Sequence, residues 1–387
     1  MGAHDDRSAY ELRRLLVALA VAAAVVVMLE LRTSRPDATS FSSPVEAATD
    51  ETQPVGPTTL TVALTGEILP HPSVVEHARR FGASSGQAFD FTPVFSDLSP
   101  LLAAADLAIC HLEVPVAPPR TSLSGYPSFG IPAEIGAGIG STRWDRCSTA
   151  SNHVNDKGTA GIRATLDALD GAMVGHSGTA RTPEEAAAPS ITDVAGVPIA
   201  HLAYTWGFNG TPPAEPWMAD VLDPDRILTD AREARAAGAA LVIVSLHWGN
   251  EYDTSGSADQ RALAGRLLAS PDVDLIVGHG PHVLQPIETF HGKYALLSVG
   301  NLVANQGRER PSTYDGVIAE VTFSTADDGR FHASAPVVHP TWYDRDAGRV
   351  RLVNAALDDP ALADLQSALA ASVTRTAAVL GPYVDSG

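Results

Sequence analysis

The sequence predicts a layered α/β fold for the part of the chain that begins at Thr59. From Thr59 to Asn301, short apolar and β-branched runs alternate with amphipathic stretches of helical period, which is the pattern of strands covered by helices. Histidines and carboxylates recur where these runs end, and open α/β sheets collect ligands there. The 387 residues and 45% hydrophobic content are ample for one large or two ordinary domains.

Composition narrows the range of partners. The formal net charge of -19 argues against a nucleic-acid-binding surface and against simple electrostatic adhesion to anionic lipid. Cys110 and Cys147 are too few for a disulfide framework and lack the spacing of a zinc ribbon. They either form one disulfide bond or remain two buried thiols.

An uncharged apolar run, Leu15–Leu29, follows two arginines near the N-terminus. Residues 1–14 are predicted to be a short tail and residues 15–31 a transmembrane signal anchor, since a lone N-terminal anchor usually leaves the following domain outside the cytoplasm. The alternative is a signal peptide cleaved near Ala47-Ala48, which would make the protein secreted. Residues 32–58 are rich in Pro, Ser, Thr, Ala and acidic residues and predict a disordered linker.

Predicted strands and helices then follow along the chain. The predicted strands are Thr59–Thr65, Asp106–Glu113, Arg146–Ala150, Ile199–Tyr204, Leu241–Leu246, Val273–Val277, Tyr294–Val299, Gly316–Phe323 and Phe331–His339. The predicted helices are Val74–Phe81, Val94–Ala105, Gly161–Leu169, Asp223–Ala237, Gln260–Leu268 and Pro360–Leu380. Thr121–Gly140 is dense in Gly, Pro and Ser and is predicted to be a loop over the site.

Six side chains of metal-ligand type lie at or just beyond the carboxyl ends of predicted strands: Glu67, Glu113, Asn152, His247, His279 and His282. We expect them to share one site, because the carboxyl ends of parallel strands meet at one edge of a sheet. Mixed carboxylate, amide and imidazole ligands suit Mn, Fe or Zn, and a bridging carboxylate could hold two ions that activate water. His153 would then protonate the leaving group, and Asp156 would orient it.

Each of these residues taken alone has a structural explanation. The three histidines could be turn or core residues without metal, the two glutamates could cap helices, and Asn152-His153 could form a simple turn. Only the joint pattern predicts a metal site. The remaining histidines, such as His111 and His201, lack a comparable context and are interpreted as structural, with His71 a possible exception because it closely follows Glu67.

Several of these residues lie in motifs shared with a known family. The motifs, in order, are Thr65-Gly66-Glu67-Ile68-Leu69, Ala105-Asp106-Leu107-Ala108-Ile109-Cys110-His111-Leu112-Glu113, Ser151-Asn152-His153, His247-Trp248-Gly249-Asn250-Glu251-Tyr252, Gly278-His279-Gly280-Pro281-His282-Val283-Leu284-Gln285-Pro286 and Ser298-Val299-Gly300-Asn301. From about Thr61 to Gln306 the chain resembles CapA-like proteins, which are linked to poly-γ-glutamate capsule synthesis and belong to the calcineurin-like metallophosphatase superfamily.

The resemblance implies a sandwich of two mixed β-sheets flanked by helices over residues 59–345, with a C-terminal helical extension over residues 346–387. It also implies a dinuclear metal site of the metallophosphatase kind, with Glu113 in the bridging position and His153 in the position of the acid. The other ligands would divide between the ions, with Glu67 and His282 on one and Asn152, His247 and His279 on the other.

The chain departs from the family pattern at three positions. Glu67 stands where the family usually has Asp, and its longer side chain is expected to weaken one metal site. Leu69 replaces the histidine that the superfamily has two residues after that Asp, so the same ion lacks a ligand unless His71 supplies one. Val154 replaces the carboxylate that follows the Asn-His pair, which leaves Asp156 to take its place.

Two functions from different classes follow from these observations. The first is a membrane-anchored, metal-dependent hydrolase that acts on phosphoesters or on amide bonds of a cell-envelope polymer such as poly-γ-glutamate. The second is a non-catalytic envelope component that binds, assembles or exports an acidic polymer in the same crevice. Membrane proteins of capsule synthesis are expected partners in either case, and nucleic acid is not.

Overall fold

Two β-sheets form the centre of the structure, a computed structural model that describes residues 59–385. Numbered along the chain, the strands are β1 Thr59–Ile68, β2 Leu107–Leu112, β3 Arg146–Ser148, β4 Gly175–Ser177, β5 Ile191–Val194, β6 Val197–Thr205, β7 Leu241–His247, β8 Leu275–His279, β9 Leu284–Phe290, β10 Lys293–Val299, β11 Asn301–Val303, β12 Asp315–Thr325, β13 Phe331–Ala333, β14 Val337–Asp344 and β15 Arg349–Leu352.

Both sheets are mixed. The first has the strand order β15-β14-β12-β1-β2-β3-β4, with β11 beside β1 and β13 beside β12, and the second has the order β5-β6-β7-β8-β10-β9. Strands β1 to β4 run parallel to one another, as do β6, β7, β8 and β10. The remaining strands pair antiparallel, apart from β11 on β1. The parallel centre of each sheet therefore ends in a shared carboxyl edge.

The helices are α1 Pro72–Ser85, α2 Thr92–Phe95, α3 Ser99–Leu102, α4 Ile135–Ser141, α5 Gly158–Gly171, α6 Pro183–Ala187, α7 Pro224–Ala236, α8 Ala258–Leu268, α9 Val353–Asp358 and α10 Gln366–Leu380. Asp223 caps α7 by accepting hydrogen bonds from the backbone, and Ser257 with Gln260 forms a capping box on α8. These caps explain why both helices begin where they do.

Apolar side chains between the sheets form the central core. Leu60, Val62 and Leu64 alternate along β1 and pack with residues such as Ile243 on β7 and Val277 on β8. Helices α1 to α5 cover the opposite face of the first sheet, and α7 and α8 cover that of the second. Burial of each large side chain contributes about 1.5 to 3 kcal/mol to this packing. The predicted α/β fold with two mixed sheets flanked by helices is confirmed.

Some predicted elements were wrong in detail. The helix expected over Val94–Ala105 is broken into α2, a 3₁₀ turn and α3, because Pro100 has no backbone N–H to continue it. The loop expected over Thr121–Gly140 ends in α4, where a Cβ on Gly136 would lie 2.2 Å from the Ala168 carbonyl of α5. Glycine at this position allows α4 to pack closely against α5.

The C-terminal segment is part of the sandwich. Residues 346–387, expected to be a helical extension, also contribute β15, which pairs with β14 at the edge of the first sheet. Helix α10 is held to the first sheet by Asp315, whose buried carboxylate accepts hydrogen bonds from Ser372 and Arg375. The segment therefore completes a layer of the domain.

The predicted tail, membrane anchor and linker (residues 1–14, 15–31 and 32–58) lie outside the described residues. Between Thr59 and Asp385, none of the helices combines the length and apolar character needed to cross a membrane.

Cys110 on β2 and Cys147 on β3 form a disulfide bond. They are direct partners in the register of these parallel strands, and the next pair along is His111 with Ser148. The bond therefore cross-links two strands whose carboxyl ends lead to Glu113 and Asn152.

Candidate metal centre

Three candidate ligands follow from the two-residue period of the strands. On β8 the side chains that face the first sheet are apolar up to the last position, His279, and on β7 the corresponding row passes from Ile243 through Ser245 to His247. On β2, Ile109 faces the second sheet, and Glu113 follows with the same alternation just beyond the strand. Each row of core side chains thus becomes polar at its carboxyl end.

Glu67 reaches the same space through an irregularity in β1. Leu64 faces the second sheet, so strict alternation would turn Glu67 the other way. The register of β1 against β2 shifts between these two residues, and Gly66 allows the chain to approach the Gly300 carbonyl, which a Cβ would meet at 2.4 Å. Such bulges commonly re-aim side chains at functional sites.

A tight turn carries His282 into the site. Gly280 has φ +110°, and a Cβ there would lie 2.6 Å from the Trp248 carbonyl. His282 itself has φ +61°, a left-handed conformation that is uncommon for residues other than glycine, Asn and Asp. Strained backbone of this kind is often found at functional sites.

Glu67, Glu113 and His282 form a buried cluster whose ligand atoms all lie within 4.8 Å of one another. His282 Nδ1 lies 2.5 Å from Glu67 Oε2, and its Nε2 lies 3.9 Å from Glu113 Oε1. The other Glu67 oxygen accepts a hydrogen bond of 2.6 Å from the Gly280 amide. The arrangement places two carboxylates and one imidazole around one point.

Electrostatic interactions in this cluster lower the pKa of Glu67 and raise the pKa of His282. Burial alone would raise the pKa of Glu67, but the charge and hydrogen bond of His282 outweigh it and lower that pKa to about 2. Burial would lower the pKa of His282, but the two glutamates outweigh it and raise that pKa to about 10. The pKa of Glu113 is raised well above its ordinary value by burial. Without a cation, therefore, burial favours the neutral carboxylic acid form of Glu113.

Hydrogen bonds fix which nitrogen of each histidine is free. His279 Nε2 lies 3.2 Å from the Thr65 carbonyl, so it must donate, and Nδ1 keeps its lone pair. Asn301 donates its amide hydrogens to Gln306 and the Thr313 carbonyl, so its oxygen, 3.1 Å from His282 Nδ1, accepts from that ring. His282 Nε2 is then the nitrogen that could bind a metal ion, once that ion has displaced its proton.

Several buried acceptors have no donor among residues 59–385. Those among the predicted ligands include both carboxyl oxygens of Glu113, the side-chain oxygen of Asn152 and Nδ1 of His279. A buried acceptor without a partner costs about 1 to 3 kcal/mol, and divalent cations can supply missing partners of this kind. The residues therefore fit a divalent metal site.

His153 lies beside this cluster, with its orientation fixed. Its Nδ1 is 2.7 Å from Asp156, whose same oxygen also accepts from the Phe129 amide. The Phe129 ring packs edge-on against the imidazole at 4.8 Å, and Asn209 approaches Nε2 at 3.3 Å. An imidazole held in this way presents Nε2 to the neighbouring space.

Two crevices meet at Pro127 and Asn209, and His153 lines one of them. One, of about 390 Å³, is lined by His71, Tyr126, Phe129, His153, Asn209, Glu251, Tyr252, His282 and Gln306, among others. The second, of about 290 Å³, contains Asn152, Asp156 and Asn209. Pro127 and Asn209 border both crevices, which therefore adjoin.

The structure brings the predicted residues to one edge of the sandwich. Glu67, Glu113 and His282 form the cluster, and His247 and His279 lie near enough to Glu67 to interact with it electrostatically. Asn152 is held near Glu113 by its neighbour Ser151, whose hydroxyl donates a hydrogen bond to the Glu113 carbonyl. His153 and Asp156 contact each other.

Leu69 and His71 are the two positions near Glu67 where the sequence leaves open whether a further metal ligand exists. Leu69 is buried in the core between sheet and helices and offers no ligand. His71 lines the larger crevice, but its Nδ1 lies 3.1 Å from both the Leu69 carbonyl and the Asn305 amide. An ion beside Glu67 would therefore have the smaller set of protein ligands.

Residues that sequence reasoning missed also surround the site. His111 lies between the two histidines on β7 and β8, with its ring stacked on that of His279 at a centroid distance of 4.3 Å. Asn301 orients His282, and the Gly280 amide holds Glu67. The spacing of His111, two residues before Glu113 on one strand face, could have identified it.

Comparison with known proteins gives the family. The profile of the family described as "Bacterial capsule synthesis protein PGA_cap" matches residues 61–306. The chain belongs to this family. The match covers the interval over which the sequence motifs resemble CapA-like proteins, and that recognition is confirmed.

Two bacterial CapA proteins are moderately similar in sequence to this PGA_cap chain. The PGA biosynthesis protein CapA of Bacillus subtilis is 28% identical over 290 residues, which are 72% of each chain. The capsule biosynthesis protein CapA of Bacillus anthracis is 28% identical over 281 residues, which cover 70% of this chain and 65% of the relative.

Solved structures show more distant likenesses. The NAD nucleotidase of Haemophilus influenzae aligns with a TM-score of 0.48 and 11% identity, over 85% of this chain and 64% of that one. The calcineurin-like phosphoesterase YfkN of Bacillus subtilis aligns with a TM-score of 0.46 and 11% identity, over 83% and 97%. Neither reaches a TM-score of 0.5, and the family assignment rests on sequence.

Proposed function

We propose that the protein is a divalent-metal-dependent hydrolase that acts on a phosphoester or amide bond in an anionic polymer of the cell envelope. The observation that carries the proposal is the set of buried acceptors without donors at the shared sheet edge, on Glu113, Asn152 and His279. Membership of a capsule synthesis family supports a polymer, such as poly-γ-glutamate, as the substrate.

The residues would divide between two ions. Glu67 and His282 would hold one, Asn152, His247 and His279 would hold the other, and Glu113 would bridge them. Mn, Fe and Zn all suit carboxylate, amide and imidazole ligands. When bound, the ions would supply Lewis-acid activation of water and of the bond to be cleaved.

His153 would act as the general acid. Asp156 accepts the Nδ1 hydrogen bond at 2.7 Å, which holds the ring in one orientation. A proton on Nε2 would then pass to the leaving group in the crevice. The nearby Asn209 amide contacts Nε2 in the resting state and must yield its place to substrate.

The adjoining crevices suit a chain-like substrate. The crevice of about 390 Å³ is lined by His71, Tyr252 and His153, and the crevice of about 290 Å³, lined by Asn155 and Thr211, adjoins it at Asn209. A polymer could therefore extend to both sides of the bond that is cleaved. Since the protein is strongly acidic, the metal ions would supply much of the attraction for an anionic chain.

We also propose that residues 15–31 anchor the protein in the cell membrane with the domain outside the cytoplasm. The alternative is secretion after cleavage near Ala47-Ala48. N-terminal sequencing of the mature protein distinguishes the two, since cleavage would give a start near Ala48.

The function is tested with full-length protein loaded with Mn²⁺, Fe²⁺ or Zn²⁺. Metal content and hydrolysis of bis(4-nitrophenyl) phosphate and of poly-γ-glutamate are measured. His282→Asn, in which asparagine tolerates the left-handed backbone, should lose metal and activity. His153→Asn should keep metal and lose activity.

The exposed His332 provides a matched control, because His332→Asn makes the same substitution on the remote strand β13 and should change neither measurement. Wild-type protein that binds none of the three metals, or a His282→Asn variant equal to wild type, would rule out the assigned site.

A second candidate is an envelope component that binds an acidic polymer without cleaving it. The observation that favours it is Leu69, which is buried in the core where the superfamily has a histidine and so reduces the ligands of one ion. In this case the protein would bind poly-γ-glutamate in the presence of metal, and the polymer would keep its length during prolonged incubation.

A further inference from the structure

His111 occupies the space between two candidate metal ligands and is itself too deep to reach solvent, being 1% exposed. Its Nε2 lies 3.1 Å from Nδ1 of His247. Its ring is nearly parallel to that of His279, at an interplanar angle of 18°. Sequence reasoning treats this residue as structural, but its contacts are with the metal centre.

The other ring nitrogen of His111 continues the chain of hydrogen bonds. Nδ1 lies 2.7 Å from the Ser148 hydroxyl, and that hydroxyl also lies 3.4 Å from the Cys110 carbonyl. A carbonyl can only accept, so a Ser148 hydroxyl that donates to Cys110 must accept from His111. His111 then carries its proton on Nδ1 and has a lone pair on Nε2.

This sequence of hydrogen-bond donors and acceptors determines which ring nitrogen of His247 carries the proton. A neutral imidazole has one donor nitrogen and one acceptor nitrogen, so the lone pair on His111 Nε2 requires a proton on His247 Nδ1. His247 Nε2 is then unprotonated. Metal-bound histidines commonly donate their second nitrogen to a neighbouring acceptor, which fixes the ring and its tautomer.

Strand register holds the relay in place. His111 and Ser148 are direct partners on β2 and β3, and the preceding pair, Cys110 and Cys147, is joined by the disulfide bond. His111 therefore cannot slide along its neighbour without breaking a covalent cross-link. Its side chain is also confined by the stacked ring of His279.

We propose that His111 is a positioning residue that accepts the Nδ1 proton of His247 and so presents His247 Nε2 to a divalent metal ion. The inference rests on the proposed metal site. The metal itself need not be catalytic for the inference to hold, because the relay acts on metal affinity.

The test measures Co²⁺ binding by full-length protein, with Co²⁺ as the sole probe and its visible absorption as the readout. His111→Phe keeps a flat ring against His279 and removes the acceptor, and we expect a Kd about 10- to 100-fold higher with an altered absorption band. His111→Gln keeps a side-chain oxygen at the position of Nε2 and should stay within about 3-fold of wild type.

Ser148→Ala provides a milder variant in case the ring substitutions unfold the protein. It removes only the outer hydrogen bond and should weaken Co²⁺ binding less than His111→Phe does, with an unchanged circular dichroism spectrum. A purely structural role predicts that all three variants lower stability while the Kd and the absorption band stay those of wild type.

Equal Co²⁺ affinity in wild type, His111→Phe and His111→Gln would overturn the inference and leave the metal site standing. A His111→Gln variant that binds Co²⁺ as weakly as His111→Phe would also overturn it. Wild-type protein that binds no Co²⁺ would overturn both the relay and the proposed function. Co²⁺ binding that responds to His111 without any hydrolysis would support the relay and count against the hydrolase.

Discussion

Replacing Glu113 with glutamine should separate the stability of the metal-free protein from its affinity for metal. The side chain is 1% exposed, and neither oxygen has a hydrogen-bond donor among the described residues. Burial, together with the charge of Glu67, raises the pKa of Glu113 well above the ordinary value of 4.5. Glutamine has nearly the same shape and needs no ionisation.

The sign of the pH effect follows from that raised pKa. Above the unfolded-state value, the unfolded chain releases the proton while the folded chain keeps it, so this group lowers stability as pH rises. Glutamine does not titrate. Metal-free Glu113→Gln should therefore resemble wild type below pH 4.5 and should equal or exceed its unfolding free energy at about pH 8.

Metal should make the wild-type protein more stable than the Glu113→Gln variant. At a metal concentration of about 100 times Kd, binding stabilises the wild-type fold by about 2.7 kcal/mol. If the variant binds about 100-fold more weakly, its gain at the same concentration is about 0.4 kcal/mol, a difference of about 2.3 kcal/mol.

Urea unfolding followed by tryptophan fluorescence, in EDTA and in excess Zn²⁺, measures both effects. Glu184→Gln, on an exposed surface of α6, is the matched control and should behave as wild type throughout. The reasoning fails if metal-free Glu113→Gln is several kcal/mol less stable at about pH 8, or if Zn²⁺ stabilises it as much as wild type.

Two further predictions concern the framework. The disulfide closes a loop with a sequence separation of 37, so Cys110→Ala/Cys147→Ala should lose about 3.8 kcal/mol of stability by the chain-entropy relation. Urea unfolding should show reductant shifting wild type towards the variant and leaving the variant unchanged; a difference below about 1 kcal/mol would contradict this expectation. Asp315→Ala leaves Arg375 without its buried acceptor and should cost about 3 kcal/mol in the same assay, whereas Asp328→Ala, an exposed control, should cost under about 0.5 kcal/mol.

The strand periods explain how much of the site the sequence could predict. On β7 the inward positions run through Ile243 and Ser245 to His247, and on β8 they run through Val277 to His279. The sequence shows inward rows that begin with apolar side chains and end in a candidate ligand, because the period of two is local information.

Features that depend on distant contacts could not be predicted in the same way. The bulge that turns Glu67 inward arises where Gly66 meets Gly300, more than two hundred residues later, and alternation alone would point Glu67 away from the core. The role of His111 likewise depends on Ser148 and on His247, which is 136 residues away. Local propensity carries no signal for either arrangement.

Helix α4 was missed for a different physical reason. Its sequence, Ile135–Ser141, has glycine at alternate positions, which normally disfavours a helix. The glycines Gly136 and Gly140 meet backbone carbonyls of the α5 region, so tertiary packing outweighs propensity. Sequence periodicity can show an apolar stripe, but it cannot show how near the opposing helix will come.

The candidate ligands are divided between the two sheets, and this division determines the order in which they become available during synthesis. Glu67, Glu113 and Asn152 emerge early during synthesis, and the Gly280 amide that engages Glu67 follows 213 residues after it. Until His282 has also emerged, the early carboxylates have neither their ion pair nor a complete set of ligands. The nascent chain would therefore bring the candidate ligands together in one late event, when the second sheet packs on the first.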